Sequence, residues 1–247
     1  MVESAVCFFS TFVSSIIKKE KMRTSEIIPF LAQLRDNNSR EWFAEHKDYC
    51  KELQKDFEKL TQQVIDGIST FDPEIKGLEP KNCIFRLYRD TRFSPDKTPY
   101  KSHFGAYMAA KGGRKSPRAG YYLHMEPGNS FISGGVYMPD SVVLKALRQA
   151  VYENIDEWME ITGEPFASVF PDMYGEDDKL KKVPLGFPKD WEHGELLKYK
   201  HYAFGRNIPD EFYAQQEIVP QLIEYYKYLQ PLHRFLNFTV DEVLNLG

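Results

Sequence analysis

The chain has 247 residues, 42% of them apolar and 28% charged, with 32 Lys and Arg against 36 Asp and Glu. A protein of this length buries roughly 70–75% of its unfolded surface, so it folds without disulfides or a structural metal. The net charge of −4 excludes a generally basic, polymer-coating protein, and three scattered cysteines (Cys7, Cys50, Cys83) without CxxC spacing fit a reducing, cytoplasmic setting.

The first apolar run, residues 5–17, has thirteen residues. It is shorter than the ~18–20 a membrane helix needs, lacks a basic segment before it, and is followed by KKEK. No membrane partner is expected. Met22 stands directly before a credible helix start, so residues 1–21 are expected to be an extension and residues 22–247 one α+β domain. Thr24 and Ser25 offer caps for a short helix over IIPFLAQL. Ser39 then caps a long amphipathic one with Trp42, Tyr49, Leu53, Phe57, Leu60, Val64 and Ile68 as its stripe, stopped by FDP at 71–73.

From Asn82 the period changes to two, which predicts a strand over 82–88. After the polar loop RDTRFSPDKTPYK come HFGAYMAA, AGYYLHME and FISGGVYM, an antiparallel three-stranded meander to which 82–88 adds a fourth strand. Pro139 and Asp140 open a helix to about Thr162. The mixed remainder has a short helix near 190–198, a short strand at HYAFG, and a long helix from about Asp210 to Leu236. The expected fold class is α+β: a central antiparallel sheet of about four strands, packed by the N-terminal and middle helices, with a mixed C-terminal segment ending in a long helix.

Charge is unevenly placed. Residues 81–118 carry ten Lys and Arg against Asp90 and Asp96, a net +8, which leaves −12 for the rest. So concentrated a block attracts anions, and arginine's planar fork suits phosphate and carboxylate.

Register defines a face. Pairing 104 with 125 and 106 with 123, then turning at Gly128-Asn129 so that 125 meets 132 and 124 meets 133, gathers Phe104, Ala106, Met108, Tyr121, Leu123, Met125, Ile132, Gly134 and Val136 on an apolar side. The opposite side receives His103, Tyr107, Tyr122, His124, Glu126, Phe131, Ser133 and Tyr137. Arg86 and Tyr88 are expected there too, with Phe85 and Leu87 turned inward, and Gly105 and Gly135 leaving space. Such a face reads as the floor of a ligand site rather than a solvated surface.

The ligand-binding candidates are therefore Arg86, Tyr88, Arg89, Arg92, Asp96, Lys97, Tyr100, Lys101, Tyr107, Tyr122 and Ser133. His103 and His124 are candidate general acid/base residues because histidine titrates near neutrality, and Asp90 is a weaker one, since an aspartate among so many cations first reads as an arginine partner. His103, His124 and Glu126 are also donors for Zn or Fe, but they lie on strands without a short ligand motif such as HExxH, so no metal is expected. There is no Walker loop, nucleophile elbow or GxGxxG after a strand, and no cofactor is expected.

The strings RLYRDTRFSPDKTPYKSHFGAYM and GYYLHMEPGNSFISGGVYMP, with REWFAEHKDYC before them and VPLGFPKDWEHGELLKYK after, resemble the family known as domain of unknown function 2461. The similarity runs from about Ile27 to about Val240, and residues 1–21 fall outside it. The resemblance implies no activity. Its most characteristic positions are Arg86, Arg89, Asp90, Arg92, Asp96, Lys97, Tyr100 and Lys101.

The expected function is binding of a phosphate- or carboxylate-bearing small molecule, with a metal-independent hydrolase or transferase as its enzymatic version. Nucleic-acid binding and docking of an acidic protein partner are the alternatives. Nothing in the sequence assigns an oligomeric state.

Overall fold

The computed structural model describes residues 22–215 and 217–246, so the expected extension at 1–21 lies outside the described residues. Helices α1 (Thr24–Asp36) and α2 (Arg40–Ile68) open the fold. The Ser39 hydroxyl accepts the Trp42 N–H at 3.2 Å, satisfying one of the donors that a helix start leaves free. Leu53, Phe57, Leu60, Val64 and Ile68 recur at helical spacing and are fully buried, each contributing about 1.5–3 kcal/mol. The chain leaves the helix at Asp72, whose carboxylate accepts the Glu74 N–H at 3.2 Å ahead of a short 3-10 turn at Pro73–Ile75.

Among the described residues the sheet has five antiparallel strands in the order β1-β2-β3-β5-β4: β1 (Phe104–Met108), β2 (Gly120–Met125), β3 (Phe131–Val136), β4 (Asp172–Met173) and β5 (Tyr202–Asn207). Phe104 faces Met125 and Ala106 faces Leu123, as the alternation requires. Between β2 and β3 the expected pairing is displaced by two residues: Ser133 faces Tyr122 rather than His124. The cause is the connection. Residues 126–130 form a longer loop in which the Asn129 N–H bonds to the Glu126 carbonyl at 3.0 Å. In the same loop the Ser130 hydroxyl accepts the Glu126 N–H and donates to its carbonyl. A slip of two preserves parity, so the two faces keep their residues.

The apolar face is closed by helices. Phe57 of α2 lies 5.4 Å from the Phe104 ring, and Tyr121 meets Tyr226 of α7 (Ile218–Lys227) at 5.4 Å. Gly134 lets Leu229 and His233 of α8 (Leu229–Leu244) approach the sheet: a Cβ there would sit 2.6 Å from the His233 Nε2.

Three expectations change. Residues 80–83 form a helical turn, α3 (Pro80–Cys83), and 84–88 make only the isolated bridges Ile84–Ala106 and Tyr88–Tyr100 instead of a full strand. The fourth full-length strand is β5. The middle helix is two, α4 (Ser141–Glu153) and α5 (Ile155–Thr162), broken at Asn154, whose side chain turns back to the Ala150 carbonyl at 3.0 Å. A further short helix, α6 (Phe166–Val169), precedes β4. The C-terminal helix likewise divides into a 3-10 turn (Asp210–Ala214), α7 and α8. Among the described residues no helix is long and apolar enough to cross a membrane.

Candidate functional site

The second face of the sheet is neither washed by solvent nor packed by helix. It floors a cavity of about 700 Å³ lined by His103, Tyr107, Tyr122, His124, Phe131 and Ser133 from the sheet side. Tyr137 to Asp140 and Val143 form one rim, Arg114, Ser116 and Pro117 another, and Tyr174, just past β4, a third wall. Asp140 fixes the first rim by capping α4, accepting the Val142 and Val143 N–H groups at 2.9 Å each.

Two tyrosine hydroxyls expected to meet a ligand are engaged by the protein. Tyr107 donates to the Arg118 carbonyl at 2.6 Å, with the Gly135 carbonyl at 3.0 Å, and Tyr122 bonds to His124 Nδ1 at 2.9 Å. Both rings remain as wall, and burial pushes both phenols up. The glycines also serve the fold. A Cβ on Gly105 would meet the Tyr122 hydroxyl at 2.7 Å, and one on Gly135 the Tyr202 carbonyl at 2.2 Å, so their space is already filled.

The basic block divides. Arg89 binds Asp96 and Thr98, and Arg92 clasps Asp90 with Nη2 at 2.7 Å. Lys97 donates to the Thr91 carbonyl at 2.8 Å. The Arg92 bond holds the Asp90 carboxyl below its ordinary range, while Arg89, then Thr98, hold that of Asp96 at about 2. Loop 89–98 thus spends both its carboxylates on its own arginines, leaves only Lys97 without one, and does not line the cavity. Asp90, an exposed partner of Arg92, is not placed for acid/base work there. Tyr100 is core rather than ligand contact: it is buried and stacked on Phe43 at 4.0 Å, with Asn38 bonding both its N–H and its carbonyl. Tyr88 is half-exposed against Phe43 and Tyr100, on the same outer side. Because 84–88 is not a regular strand, its alternation fails: Leu87 is buried, but Phe85 turns to the cavity, edge-on to Tyr122 at 6.2 Å.

Four cations remain together. Arg86, Lys101, Arg114 and Lys115, with Phe85, line a cleft of about 390 Å³ that shares Phe85 and Arg114 with the main cavity. Among the described residues Arg86, Lys101 and Lys115 have no carboxylate partner, and Arg114 donates only to the Lys81 carbonyl at 2.6 Å. Burial lowers the Lys101 ammonium from its ordinary value, and repulsion from Arg86 and Arg89 adds to it. An anion in the cleft would relieve that repulsion. Arg114 and Lys115 entered the sequence reading only as charge; their place beside Phe85 depends on the 110–118 connection, which has no period to read.

His103 and His124 do meet, their rings 4.4 Å apart. Burial, then His124 and Lys101, hold His103 at about 4, so it is neutral at physiological pH. Burial also lowers His124, against the opposing pull of Glu126. His124 Nε2 lies 3.2 Å from Glu126 Oε2, and Ser102 donates to Oε1 at 2.9 Å. Burial raises the Glu126 carboxyl, but Asn129, His124 and Ser102 together hold it below its usual range. With Glu126 ionised, Nε2 carries the His124 proton and Tyr122 donates to Nδ1. Sequence reasoning missed Tyr174 and Asn129 as parts of the site. Parity had placed Phe131 on this face, whereas Tyr174 comes from an aperiodic stretch that gives no signal.

No curated protein and no solved structure matches the chain. A family model described as conserved hypothetical protein (DUF2461) matches residues 26–235, which include every cavity and cleft residue named above. The chain belongs to that conserved hypothetical protein family, DUF2461.

Proposed function

We propose that this protein binds a small molecule with an apolar or aromatic body and a phosphate or carboxylate group. The body occupies the cavity over β1–β3, and the anion lies in the cleft of Arg86, Lys101, Arg114 and Lys115. The observation that carries this reading is the junction of the two spaces at Phe85 and Arg114. A cavity of a few hundred cubic ångströms, walled by aromatic rings with a few polar groups, is the usual form of a small-ligand site. A long nucleic-acid track or an acidic protein surface calls instead for an open groove, and the anionic remainder of the chain disfavours both.

Thermal-shift assays with 1-naphthyl phosphate, 1-naphthoate, AMP, 1-naphthol and inorganic phosphate test the two-part recognition. At least one aromatic anion is expected to stabilise the protein more than either 1-naphthol or inorganic phosphate. Charge-assisted hydrogen bonds contribute roughly 1.5–3 kcal/mol, so Arg114→Ala should weaken that binding about 10- to 100-fold. Stabilisation by none of the aromatic anions, or equal affinity in the Arg114→Ala variant, contradicts the reading. Tight, steeply salt-dependent binding of a single-stranded oligonucleotide in place of the small anions would favour nucleic acid.

A further inference from the structure

Three side chains of metal-ligating type meet at the edge of the cavity, two of them, His103 and His124, in its lining. His103 precedes β1, His124 lies in β2 and Glu126 follows it, and one ligand atom of each lies within 4.8 Å of the others. Ligands about 2.1 Å from a tetrahedral zinc ion stand roughly 3.4 Å from one another. His124 Nε2 and Glu126 Oε2, 3.2 Å apart, already have that spacing. The His103 ligand atom lies within 4.8 Å of both, so a shift of about 1–2 Å brings it to that spacing. Its ring makes no hydrogen bond among the described residues, and it lines the cavity.

The groups are also held from behind. The Tyr122 hydroxyl on Nδ1 orients the His124 ring with Nε2 toward Glu126, and Phe131 stacks on that ring at 4.5 Å. Ser102 donates to Glu126 Oε1, and Asn129 donates to Oε2 at 2.8 Å. Outer partners of this kind aim the inner ligands of metal sites and raise affinity 10- to 100-fold.

We propose that His103, His124 and Glu126 form a binding site for a divalent transition-metal ion, with its remaining coordination positions open to the cavity. Two imidazoles and one carboxylate are the donor set shared by zinc and non-haem ferrous sites that keep open positions. On binding, His124 keeps one proton, which moves from Nε2 to Nδ1 and is donated to the Tyr122 oxygen. Glu126 exchanges the histidine N–H for the ion. The strand pattern explains why no short motif announces the site: pairing Phe104 with Met125 sets residue 103 across from 126, and 124 shares their side of the sheet.

Calorimetric titration of the EDTA-treated, untagged full chain with zinc chloride, and under argon with ferrous ammonium sulfate, tests the proposal. One ion per chain is expected for at least one metal. Glu126→Gln and His103→Ala should each weaken it at least tenfold, Tyr122→Phe by less, and His46→Ala, on α2, not at all. Circular dichroism of the metal-free variants verifies that they fold, and Glu126→Gln keeps the shape of the site if His103→Ala does not. No stoichiometric binding of either ion, or unchanged affinity in folded Glu126→Gln, overturns the site. No organic ligand enters the titration, so its failure would leave the anionic-ligand reading standing.

Discussion

Replacement of Gly135 by alanine is expected to cost about 3–5 kcal/mol of stability, near the upper end for a single substitution. Two penalties combine. Gly135 has φ +126°, a conformation that an L side chain rarely adopts, which costs about 1–3 kcal/mol. The added Cβ would also stand 2.2 Å from the Tyr202 carbonyl oxygen and 2.6 Å from the Ala203 Cα. Those are backbone atoms of β5, hydrogen-bonded to β3, so relief requires opening the ladder under the cavity. Gly128 supplies the control. It has φ +73° in the β2–β3 loop and nothing within 4 Å of a built Cβ, so Gly128→Ala carries only the conformational cost of about 1–2 kcal/mol. Urea unfolding of both variants measures the difference. Equal losses would mean that β5 does not press on Gly135.

Acid should destabilise the protein through a histidine outside the cavity. His233 of α8 is buried beneath Gly134, and among the described residues neither ring nitrogen has a hydrogen-bond partner. Burial, with Arg118 nearby, holds it at about 3. In the unfolded chain it takes a proton near pH 6.5, whereas the folded protein refuses that proton until about pH 3. The unfolded state therefore binds more protons throughout this window. Stability falls as the pH drops below about 6.5, and the loss is complete only below about 3. One proton corresponds to about 1.4 kcal/mol per pH unit, on the order of 3 kcal/mol between pH 7 and 4.5. His233→Leu removes a buried polar ring without partners, so it should leave stability at pH 7 unchanged or higher and flatten the acid limb by that amount. His103 and His124 are lowered in the same direction, which makes the difference between variant and wild type the quantity to read. Parallel acid curves for the two proteins would contradict this role of His233.

What the sequence made legible was parity. Alternation along 103–108, 119–126 and 131–137 sorted the residues to the correct faces even though the second hairpin pairs two residues away from the expected place. A two-residue error is invisible to a period of two. The same reasoning failed at 82–88, where the segment bends away after Ile84 and bridges again only at Tyr88, so Phe85 and Arg86 do not hold alternate sides of one strand. The dense charge of 86–101 was also misread in part. Letters alone show five cations there, but Asp90 and Asp96 are spent on Arg92 and Arg89, and the cations that gather in a cleft are Arg86 and Lys101, which meet Arg114 and Lys115 from a separate connection. Tyr100 looked like a ligand contact because it sits in the basic string, yet Asn38, sixty-two residues earlier, fastens its backbone into the core. Long-range contacts of that kind leave no local pattern.

Hydrogen–deuterium exchange with and without the best-bound aromatic anion tests the central claim most directly. Slower exchange is expected in two places at once: along β1–β3 with residues 137–143, and at 85–87, 101 and 113–116 beside the basic cleft. Loop 89–98 should be unaffected. Protection confined to that loop, or located on the helical side of the sheet, would contradict a ligand seated on this face.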